Sequence, residues 1–204
     1  MTNKPKKPLW VIGIDEVGRG PLAGPVTVCA VAVPYRGYSA SLWPGLTDSK
    51  KMTAPARAKW YKEALRLERS GILRYALSSR SAQTIDTKGI APCIRECIVS
   101  ILKKIALPPE ECLVLLDGGL KAPAQYAFQQ TIIKGDSKEP VISYASVIAK
   151  VHRDMYMTKA HRKNPEYGWD KNKGYGTQDH QNTLIIQGVT ALHRKSFLRR
   201  ILDK

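Results

Sequence analysis

An apolar run that ends in two acids and a glycine-rich turn reads Leu9-Trp10-Val11-Ile12-Gly13-Ile14-Asp15-Glu16-Val17-Gly18-Arg19-Gly20. Because Leu9–Ile14 is short, apolar and rich in β-branched residues, it predicts a buried strand. Neighbouring residues of a strand point to opposite faces of a sheet, so Asp15 and Glu16 can reach one site only where the strand ends. Gly18 and Gly20, which free the backbone, predict that end.

Further strands and helices are predicted from apolar runs and helical periodicity along the rest of the chain. Apolar, β-branched runs predict strands at 26–33, 72–78, 112–116 and 130–133. Helical stripes with suitable caps and stops predict helices at 53–71, 89–107, 143–163 and 178–187. Loops rich in Gly, Pro and polar residues are predicted at 34–51 and 164–177.

The order of these elements predicts an α/β fold. A hairpin-like pair of strands comes first and strands separated by helices follow, so we expect a mixed five-stranded sheet flanked by helices. We interpret the 204 residues as a single domain. Within it, 1–8 would form a flexible tail and about 155–204 a C-terminal helical extension.

The composition favours an intracellular protein that binds nucleic acid. The net charge is +16, from 33 Lys+Arg against 17 Asp+Glu, and such a surface attracts polyanions because each phosphate contact releases a counterion. With 43% hydrophobic residues the chain can bury a core, which argues against large-scale disorder. The longest apolar run, at 26–33, is too short to span a membrane. The apolar stretch after the basic N-terminus stops at Asp15, which argues against a signal peptide.

The four cysteines, Cys29, Cys93, Cys97 and Cys112, include no C-x-x-C pair. A chain of this length needs no disulfide staples, so a reduced, cytoplasmic setting is expected. Cys93 and Cys97 stand four residues apart on a predicted helix, but no obvious Cys/His pair matches them. We interpret them as buried small residues rather than as a metal site.

Three apolar runs lead into acids, namely into Asp15-Glu16, into Asp117 and, through Lys134-Gly135, into Asp136. Ligands of open α/β sheets bind at the carboxyl ends of strands, so parallel neighbours would bring four carboxylates into one crevice. These groups repel one another unless a cation is bound, and oxygen ligands select Mg²⁺ or Mn²⁺. A single acid at a strand end is more often a turn former or a helix cap, but three such ends in a basic chain favour a metal site. With nucleic acid as partner, this predicts phosphodiester hydrolysis by two metal ions.

Two glycine-rich segments are candidates for contact with a sugar. Gly18-Arg19-Gly20 matches neither common phosphate-loop pattern, and its amide and carbonyl groups could hydrogen-bond a ribose 2′-hydroxyl. The alternative is a plain tight turn. Tyr175, between two glycines, could stack on a sugar or a base. The alternative is packing beneath its own loop.

Basic and polar residues elsewhere are candidates for phosphate contact. Ser146, Lys150 and Arg153 share one face of the predicted helix at 143–163, although a solvated basic face is the ordinary alternative. Asp154, four residues after Lys150, is expected to pair with that lysine rather than to bind metal. Lys50 is a surface lysine by default and a phosphate contact by hypothesis.

The chain resembles type 2 ribonuclease H, the ribonuclease HII family, in segments that run in family order from about residue 10 to residue 197. The first segment, Gly13–Pro25, is long and highly specific. The others, which are weak singly, are Asp48-Ser49-Lys50-Lys51, Leu115-Leu116-Asp117-Gly118, Lys134-Gly135-Asp136-Ser137, Ala145–Val151, Arg153-Asp154, Lys173-Gly174-Tyr175 and His193–Phe197. The resemblance implies a ribonuclease H-like fold with a C-terminal helical extension.

The resemblance also implies roles for single residues. Asp15, Glu16, Asp117 and Asp136 would be the catalytic acids that bind the metal ions. The backbone of Gly18-Arg19-Gly20 would read the ribonucleotide 2′-hydroxyl, and Tyr175 would sense the following deoxyribose. The implied reaction is hydrolysis of the RNA strand of RNA–DNA hybrids, together with cleavage 5′ of single ribonucleotides in duplex DNA. It would leave a 5′-phosphate and a 3′-hydroxyl.

The chain departs from the family pattern at a few positions. Gly119 stands where Asn is common, Tyr144 stands where a small residue is common, and Asp86–Ile90 matches only loosely. These departures concern fine substrate contacts rather than the metal ligands. No sliding-clamp peptide of the Q-x-x-L-x-x-F-F type is evident, so the sequence does not support a clamp partner, and we expect a monomer.

Two other functions are considered. Another nuclease of the same fold, such as a junction resolvase, would keep the acids but would not need Gly18-Arg19-Gly20 and Tyr175 together. A non-catalytic nucleic-acid-binding module would have no use for four carboxylates.

Overall fold

The computed structural model describes residues 7–39 and 41–202, and most of the predicted tail at 1–8 lies outside them. The strands are β1 (Trp10–Val17), β2 (Val26–Pro34), β3 (Arg74–Arg80), β4 (Cys112–Asp117) and β5 (Phe128–Ile132). The α-helices are α1 (Ala54–Arg69), α2 (Ala82–Lys88), α3 (Ile90–Ile105), α4 (Pro140–His161), α5 (Trp169–Asn172), α6 (Gln178–Gln187) and α7 (Lys195–Leu202). No helix within these ranges is long and apolar enough to cross a membrane.

The five strands form one mixed sheet in the order β3-β2-β1-β4-β5. The pairs β1–β2 and β2–β3 are antiparallel, whereas β1–β4 and β4–β5 are parallel. This confirms the predicted mixed five-stranded sheet flanked by helices. The ladder between β1 and β4 stops at Ile14 and Leu116, so the acids that follow both residues lie at one edge of the sheet.

Both faces of the sheet are covered, because β1 is apolar on both sides. Ile12 and Ile14 face the layer that contains α3, while Val11 faces the layer that contains α1 and α4. A third apolar cluster forms where the end of α4 and the C-terminal helices pack on the loop after β1. Its buried members are Leu22, Ala23, Met157, Ala160, Tyr167, Trp169, Leu184 and Leu198.

Helix α4 lies directly on the middle of β1. A Cβ atom added at Gly13 would stand 2.3 Å from the backbone carbonyl carbon of Val141, which is far inside van der Waals contact. Only glycine at this position lets the helix backbone come so close to the strand. The position of Gly13 therefore fixes the height of α4 above the sheet.

Several element boundaries differ from the predicted ones. Strand β1 continues to Val17 instead of ending at Ile14, because its pairing with β2 continues beyond the acids. Helix α4 begins at Pro140, since proline is well accommodated in a first turn.

Three short helices, α2, α5 and α7, were not predicted, and α5 lies within the segment 164–177 that was predicted to be a loop. The carboxylate of Asp86 in α2 accepts hydrogen bonds from the backbone amides of Lys195 (2.8 Å) and Ser196 (2.9 Å), so the start of α7 is held by a residue distant in sequence. Local periodicity carries no signal of such a contact. Asp86–Ile90, which departs from the family pattern, includes this residue.

The close contact at Gly13 yields a prediction about stability. We expect Gly13→Ala to lower the free energy of unfolding by about 3 kcal/mol, because the added methyl group must push α4 away from β1. Denaturant unfolding measures the difference. Gly119→Ala is the matched control, since a Cβ there meets nothing within 4 Å and the change should stay within about 0.5 kcal/mol. Equal midpoints for the two variants would contradict the close-contact argument.

Candidate active site

The four predicted acids lie at the carboxyl edge of the parallel strands. Asp15 and Glu16 follow the last β1–β4 pair, and Asp117 is the final residue of β4. Asp136 sits in a 3-10 turn, Gly135–Ser137, shortly after β5. The sequence-based expectation of parallel neighbouring strands is confirmed, and the structure brings the four residues to one edge of the sheet.

Asp15 is buried, with 6% of its surface exposed. Burial raises the pKa of its carboxyl group well above the usual value, and the charges of Glu16 and Asp117 add to the rise. Opposing contributions come from Ser146 on α4 and from the amide of Glu16, which donates to Oδ1 of Asp15 at 2.7 Å. A carboxylate at this position is therefore held in place, but its negative charge is poorly compensated by the protein.

Glu16 lies within β1, which ends at Val17, directly before Gly18, as the glycines predict. The predicted bound at Ile14 was wrong, because only the ladder with β4 stops there. Its Oε1 accepts a hydrogen bond from the exposed guanidinium of Arg19 at 3.2 Å. Its Oε2 is buried and, among the described residues, has no hydrogen-bond partner. Burial raises the pKa of Glu16, with a further rise from Asp117 and a partial offset from Arg19. An orphaned, buried carboxylate oxygen fits a bound cation.

Asp117 and Asp136 are linked through the turn that carries Asp136. The amide of Gly135 donates to Oδ1 of Asp117 at 2.7 Å, and the hydroxyl of Ser143 donates to the backbone carbonyl of Asp136 at 2.6 Å. Burial raises the pKa of the Asp136 carboxyl group, as do the charges of Asp48 and Asp117.

The charge of Lys50 partly offsets the rise in the pKa of Asp136. The segment Asp48–Lys50 therefore lies near the site. The sequence predicted a phosphate contact for Lys50 but no role for the side chain of Asp48. The signal for Asp48 was its place in the segment Asp48-Ser49-Lys50-Lys51.

The acids share an edge but do not form a closed ligand set. Within 7–39 and 41–202, no three His, Cys, Asp or Glu side chains are gathered tightly enough to hold a metal ion. Glu16, Asp117 and Asp136 each accept a hydrogen bond from a protein group instead. Burial and mutual repulsion raise the pKa values of Asp15, Glu16 and Asp136, so the donor set suits hard cations that would draw the carboxylates together.

Two fully buried arginines hold the glycine-rich loop that follows β1. The guanidinium of Arg194 donates to the backbone carbonyls of Gly18 (2.6 Å), Arg19 (3.0 Å) and Gly24 (3.0 Å). The guanidinium of Arg153 donates to carbonyls farther along the chain, which belong to Ala23 (3.0 Å), Pro25 (2.9 Å) and Lys173 (2.8 Å).

These contacts overturn the earlier interpretation of Arg153. It is neither a phosphate contact nor part of a solvated basic face, because its guanidinium is buried under the loop. Gly18 has φ +84°, and a Cβ there would lie 2.3 Å from Nε of Arg153. The fold thus requires glycine at 18 so that the arginine can reach the carbonyls.

Ser146 and Lys150, the other polar residues predicted on α4, have different surroundings. Ser146 is buried beside Asp15 and shares a 2.9 Å hydrogen bond with the Ser49 hydroxyl. Lys150 donates to Asp154 at 2.8 Å, which confirms the expected local pair. Ser146 therefore contacts the acidic edge, whereas Lys150 is engaged in an ion pair.

Tyr175 is 42% exposed, so it is not packed beneath its own loop. Its backbone carbonyl hydrogen-bonds Nδ1 of His180 at 2.8 Å, and its ring lies 6.0 Å from the guanidinium carbon of Arg153. The amides of Leu22 (2.8 Å) and Ala23 (3.2 Å) donate to the carbonyl of Gly174. The tyrosine and the glycine-rich loop are therefore joined into one surface.

Tyr144, a departure from the family pattern, is fully buried. Its ring makes edge contacts with Trp43 and Trp60, at centroid distances of 4.6 and 5.8 Å. The bulky side chain thus fills a space between α1, α4 and the loop before α1. It has a packing role.

The fold is similar to that of solved nucleases. Ribonuclease H2 from Pyrococcus horikoshii OT3 matches with a TM-score of 0.75 at 23% identity, covering 95% of this chain and 97% of that one. The RNase HII of the PCNA:RNase HII complex from Archaeoglobus fulgidus matches with a TM-score of 0.72 at 23% identity, over 92% and 94% of the two chains. Bst-RNase HIII in complex with Mn²⁺ matches with a TM-score of 0.69 at 20% identity, over 96% and 71%. At these identities the likeness shows the fold.

The sequence itself matches a family. The model of the family described as Ribonuclease HII matches residues 12–200. Ribonuclease HII of Synechococcus sp. (strain WH7803) is 42% identical over 193 residues, which cover 95% of this chain and 96% of that protein. Ribonuclease HII of Bacillus cereus (strain B4264) is 39% identical over 92% of this chain and 68% of that protein. The chain therefore belongs to the ribonuclease HII family and is an endonuclease that cuts the RNA strand of RNA–DNA hybrids.

Proposed function

We propose that the enzyme cuts on the 5′ side of single ribonucleotides embedded in duplex DNA, as well as within longer hybrids. The products would be a 5′-phosphate and a 3′-hydroxyl. The observation that carries this proposal is the closeness of the acids to the glycine-rich loop. Asp15 and Glu16 lie at the end of β1, and Gly18-Arg19-Gly20 follows directly after it. The phosphodiester that is cut and the sugar that contacts the loop would therefore be neighbours.

Asp15, Glu16, Asp117 and Asp136 would hold two Mg²⁺ or Mn²⁺ ions. The orphaned Oε2 of Glu16 and the raised pKa values of Asp15, Glu16 and Asp136 support this assignment. The Mn²⁺ complex of the similar Bst-RNase HIII is consistent with it. When bound, the ions would supply an activated water and stabilise the leaving oxygen. Ser146, which is buried and opposes the rise in the pKa of Asp15, would help to keep that carboxylate oriented.

The chain's own contribution to ribose selection would come from the loop backbone. A Cβ at Gly20 would meet nothing within 4 Å, and Gly20 does not adopt positive φ. Neither packing nor backbone conformation thus requires glycine at this position, in contrast to Gly18. An approaching sugar would require it, because a side chain would hold the ribose away from the backbone.

Tyr175 would stack on the deoxyribose that follows the ribonucleotide. Its ring is exposed, and its backbone is anchored by His180. Lys50, which is exposed near Asp136, would contact a substrate phosphate. Lys150 would do so only after leaving Asp154, which makes it a weaker contact.

The wider setting is also a proposal. We propose a single catalytic domain, with the helices after about residue 155 as an extension that supplies Tyr175. The enzyme would act as a monomer in the cytoplasm, where its four buried, free cysteines stay reduced. The Archaeoglobus fulgidus enzyme was solved with PCNA, but this sequence has no evident Q-x-x-L-x-x-F-F peptide, and we propose activity without a clamp.

The central test uses a DNA duplex that holds one ribonucleotide, an all-DNA duplex and a four-way junction, each with Mg²⁺, with Mn²⁺ or with EDTA. We expect metal-dependent cleavage only 5′ of the ribonucleotide, and a loss of at least about 10³-fold in kcat for Asp117→Asn with folding unchanged. Cleavage of the junction instead would indicate a resolvase. Binding without cleavage in either metal would indicate a non-catalytic module.

Gly20→Ala tests ribose reading by the backbone. We expect an unchanged free energy of unfolding and a fall in kcat/KM at the single ribonucleotide of about 10²-fold, because the methyl group displaces the sugar from the loop. Gly119→Ala, which adds the same methyl group at another open position, controls for the effect of the methyl group on folding only. Full activity of Gly20→Ala would remove the loop from the sugar-binding surface.

Tyr175→Ala tests the stacking role. We expect the preference for the RNA–DNA junction over the interior of a long hybrid to fall about tenfold, since stacking of an aromatic ring is worth roughly 1–3 kcal/mol. Tyr175→Phe keeps the ring and should keep most of the preference. An unchanged cleavage pattern for the alanine variant would exclude Tyr175 from the contact with the deoxyribose.

A further inference from the structure

We propose that Arg194 is a positioning residue for ribose selection. By holding the carbonyls of Gly18 and Arg19 inward, its buried guanidinium aims the amides of Arg19 and Gly20 outward, as a pair of donors for the ribose 2′-oxygen. This inference rests on the proposed function. It adds which groups of the loop face the sugar and which side chain sets their direction.

The first step is the hydrogen-bond geometry of Arg194. The residue is fully buried, and its three guanidinium nitrogens are all engaged by carbonyl oxygens of the loop 18–24, at 2.6 to 3.0 Å. Among the described residues, no acid forms a salt bridge with it. The positive charge is therefore compensated by backbone dipoles.

The second step follows from the planarity of the peptide bond. In a trans peptide the C=O of one residue and the N–H of the next point in opposite directions, and the described residues contain no cis peptide. Because the Gly18 carbonyl points inward to Arg194, the Arg19 amide points outward. Because the Arg19 carbonyl also points inward, the Gly20 amide points outward as well.

The third step is that these two amides are free to bind a ligand. In the described part of the chain, neither the Arg19 amide nor the Gly20 amide donates a hydrogen bond to a protein acceptor. The amides that follow in the loop are not free. Those of Leu22 and Ala23 donate to the carbonyl of Gly174, and that of Gly24 donates to the carbonyl of Leu192. Two successive free amides form a concave donor site for oxygen, and the guanidinium behind them polarises both peptide groups and strengthens the donors.

This geometry changes which backbone groups are expected to hydrogen-bond the ribose 2′-hydroxyl. The sequence suggested that an amide and a carbonyl of the loop face the sugar together. The carbonyls of Gly18 and Arg19 are instead turned toward Arg194, so these two peptide groups present donors. The 2′-hydroxyl oxygen would accept from them, and a deoxyribose would leave the donors unsatisfied.

Arg153 provides a matched control inside the same loop. It is equally buried and also binds three carbonyls, but those belong to Ala23, Pro25 and Lys173. Its substitution should disturb packing to a similar degree without turning the peptides at 18–20. Lysine at either position keeps the charge while losing the planar fork that holds several carbonyls at once.

The experiment measures binding in an Asp117→Asn parent, which prevents cleavage. Fluorescence anisotropy gives Kd for a duplex with one ribonucleotide and for the same duplex made of DNA, and their ratio reports ribose selection. We expect Arg194→Lys to reduce the ratio about tenfold with the Kd for all-DNA duplex unchanged. Arg153→Lys should keep the ratio within about threefold of the parent. An unchanged ratio in Arg194→Lys would overturn the proposal.

A second measurement covers the case in which Arg194→Lys does not fold. In the ¹⁵N-labelled parent, the ribonucleotide duplex should shift the amide proton signals of Arg19 and Gly20 downfield relative to the all-DNA duplex. The Leu22 amide, which already has a protein acceptor, should show no such difference. Equal signals for both duplexes would overturn the inference, whereas a parent with no ribose selection at all would overturn the proposed function itself.

Discussion

The contact of α4 with β1 at Gly13 is the constraint on which the site depends. Once the helix backbone rests on the strand, one face of α4 runs along the carboxyl edge of the sheet. Ser143 then binds the turn that carries Asp136, and Ser146 lies beside Asp15. Arg153, two turns farther, reaches the carbonyls of the glycine-rich loop. A single helix therefore aligns the acids and the loop, and its height above the sheet is set by the absence of one Cβ atom.

The distribution of buried charge keeps the acids available. The two buried guanidiniums under the glycine-rich loop, those of Arg153 and Arg194, bind only carbonyl oxygens. If either arginine paired with Asp15 or Glu16, the pair would compensate the negative charge that a metal ion needs. Burial and repulsion from Arg153 lower the pKa of Arg194 to about 10, which still leaves it charged at neutral pH. Arg19 does pair with Glu16, but its side chain is 60% exposed, so the pair is weak and readily displaced.

The sequence predicts the sheet and the acids well because both leave local signals. Apolar runs mark the strands, and acids after three of them mark one edge. The roles of Arg153 and Arg194 leave no such signal, since all but one of the carbonyls that they bind lie more than a hundred residues away in sequence. Helical spacing groups Arg153 with Lys150, although the guanidinium of Arg153 binds only carbonyls and the ammonium of Lys150 forms an ion pair with Asp154. The position of Glu16 within β1 was missed because the apolar run stops at Ile14, whereas pairing with β2 carries the strand on to Val17.

The physical reason for glycine differs among three positions of the segment Gly13–Pro25, and the difference matters for function. At Gly13 it allows a helix to pack, and at Gly18 it allows positive φ and gives room to Arg153. At Gly20 neither reason applies, because the space beside it is open. A residue that the fold leaves free, next to residues that the fold fixes, indicates a surface shaped for something outside the chain. Since Arg194 directs the peptide groups around Gly20, selection of ribose would be a property of backbone orientation, and the chemistry of the loop's side chains would contribute little to it.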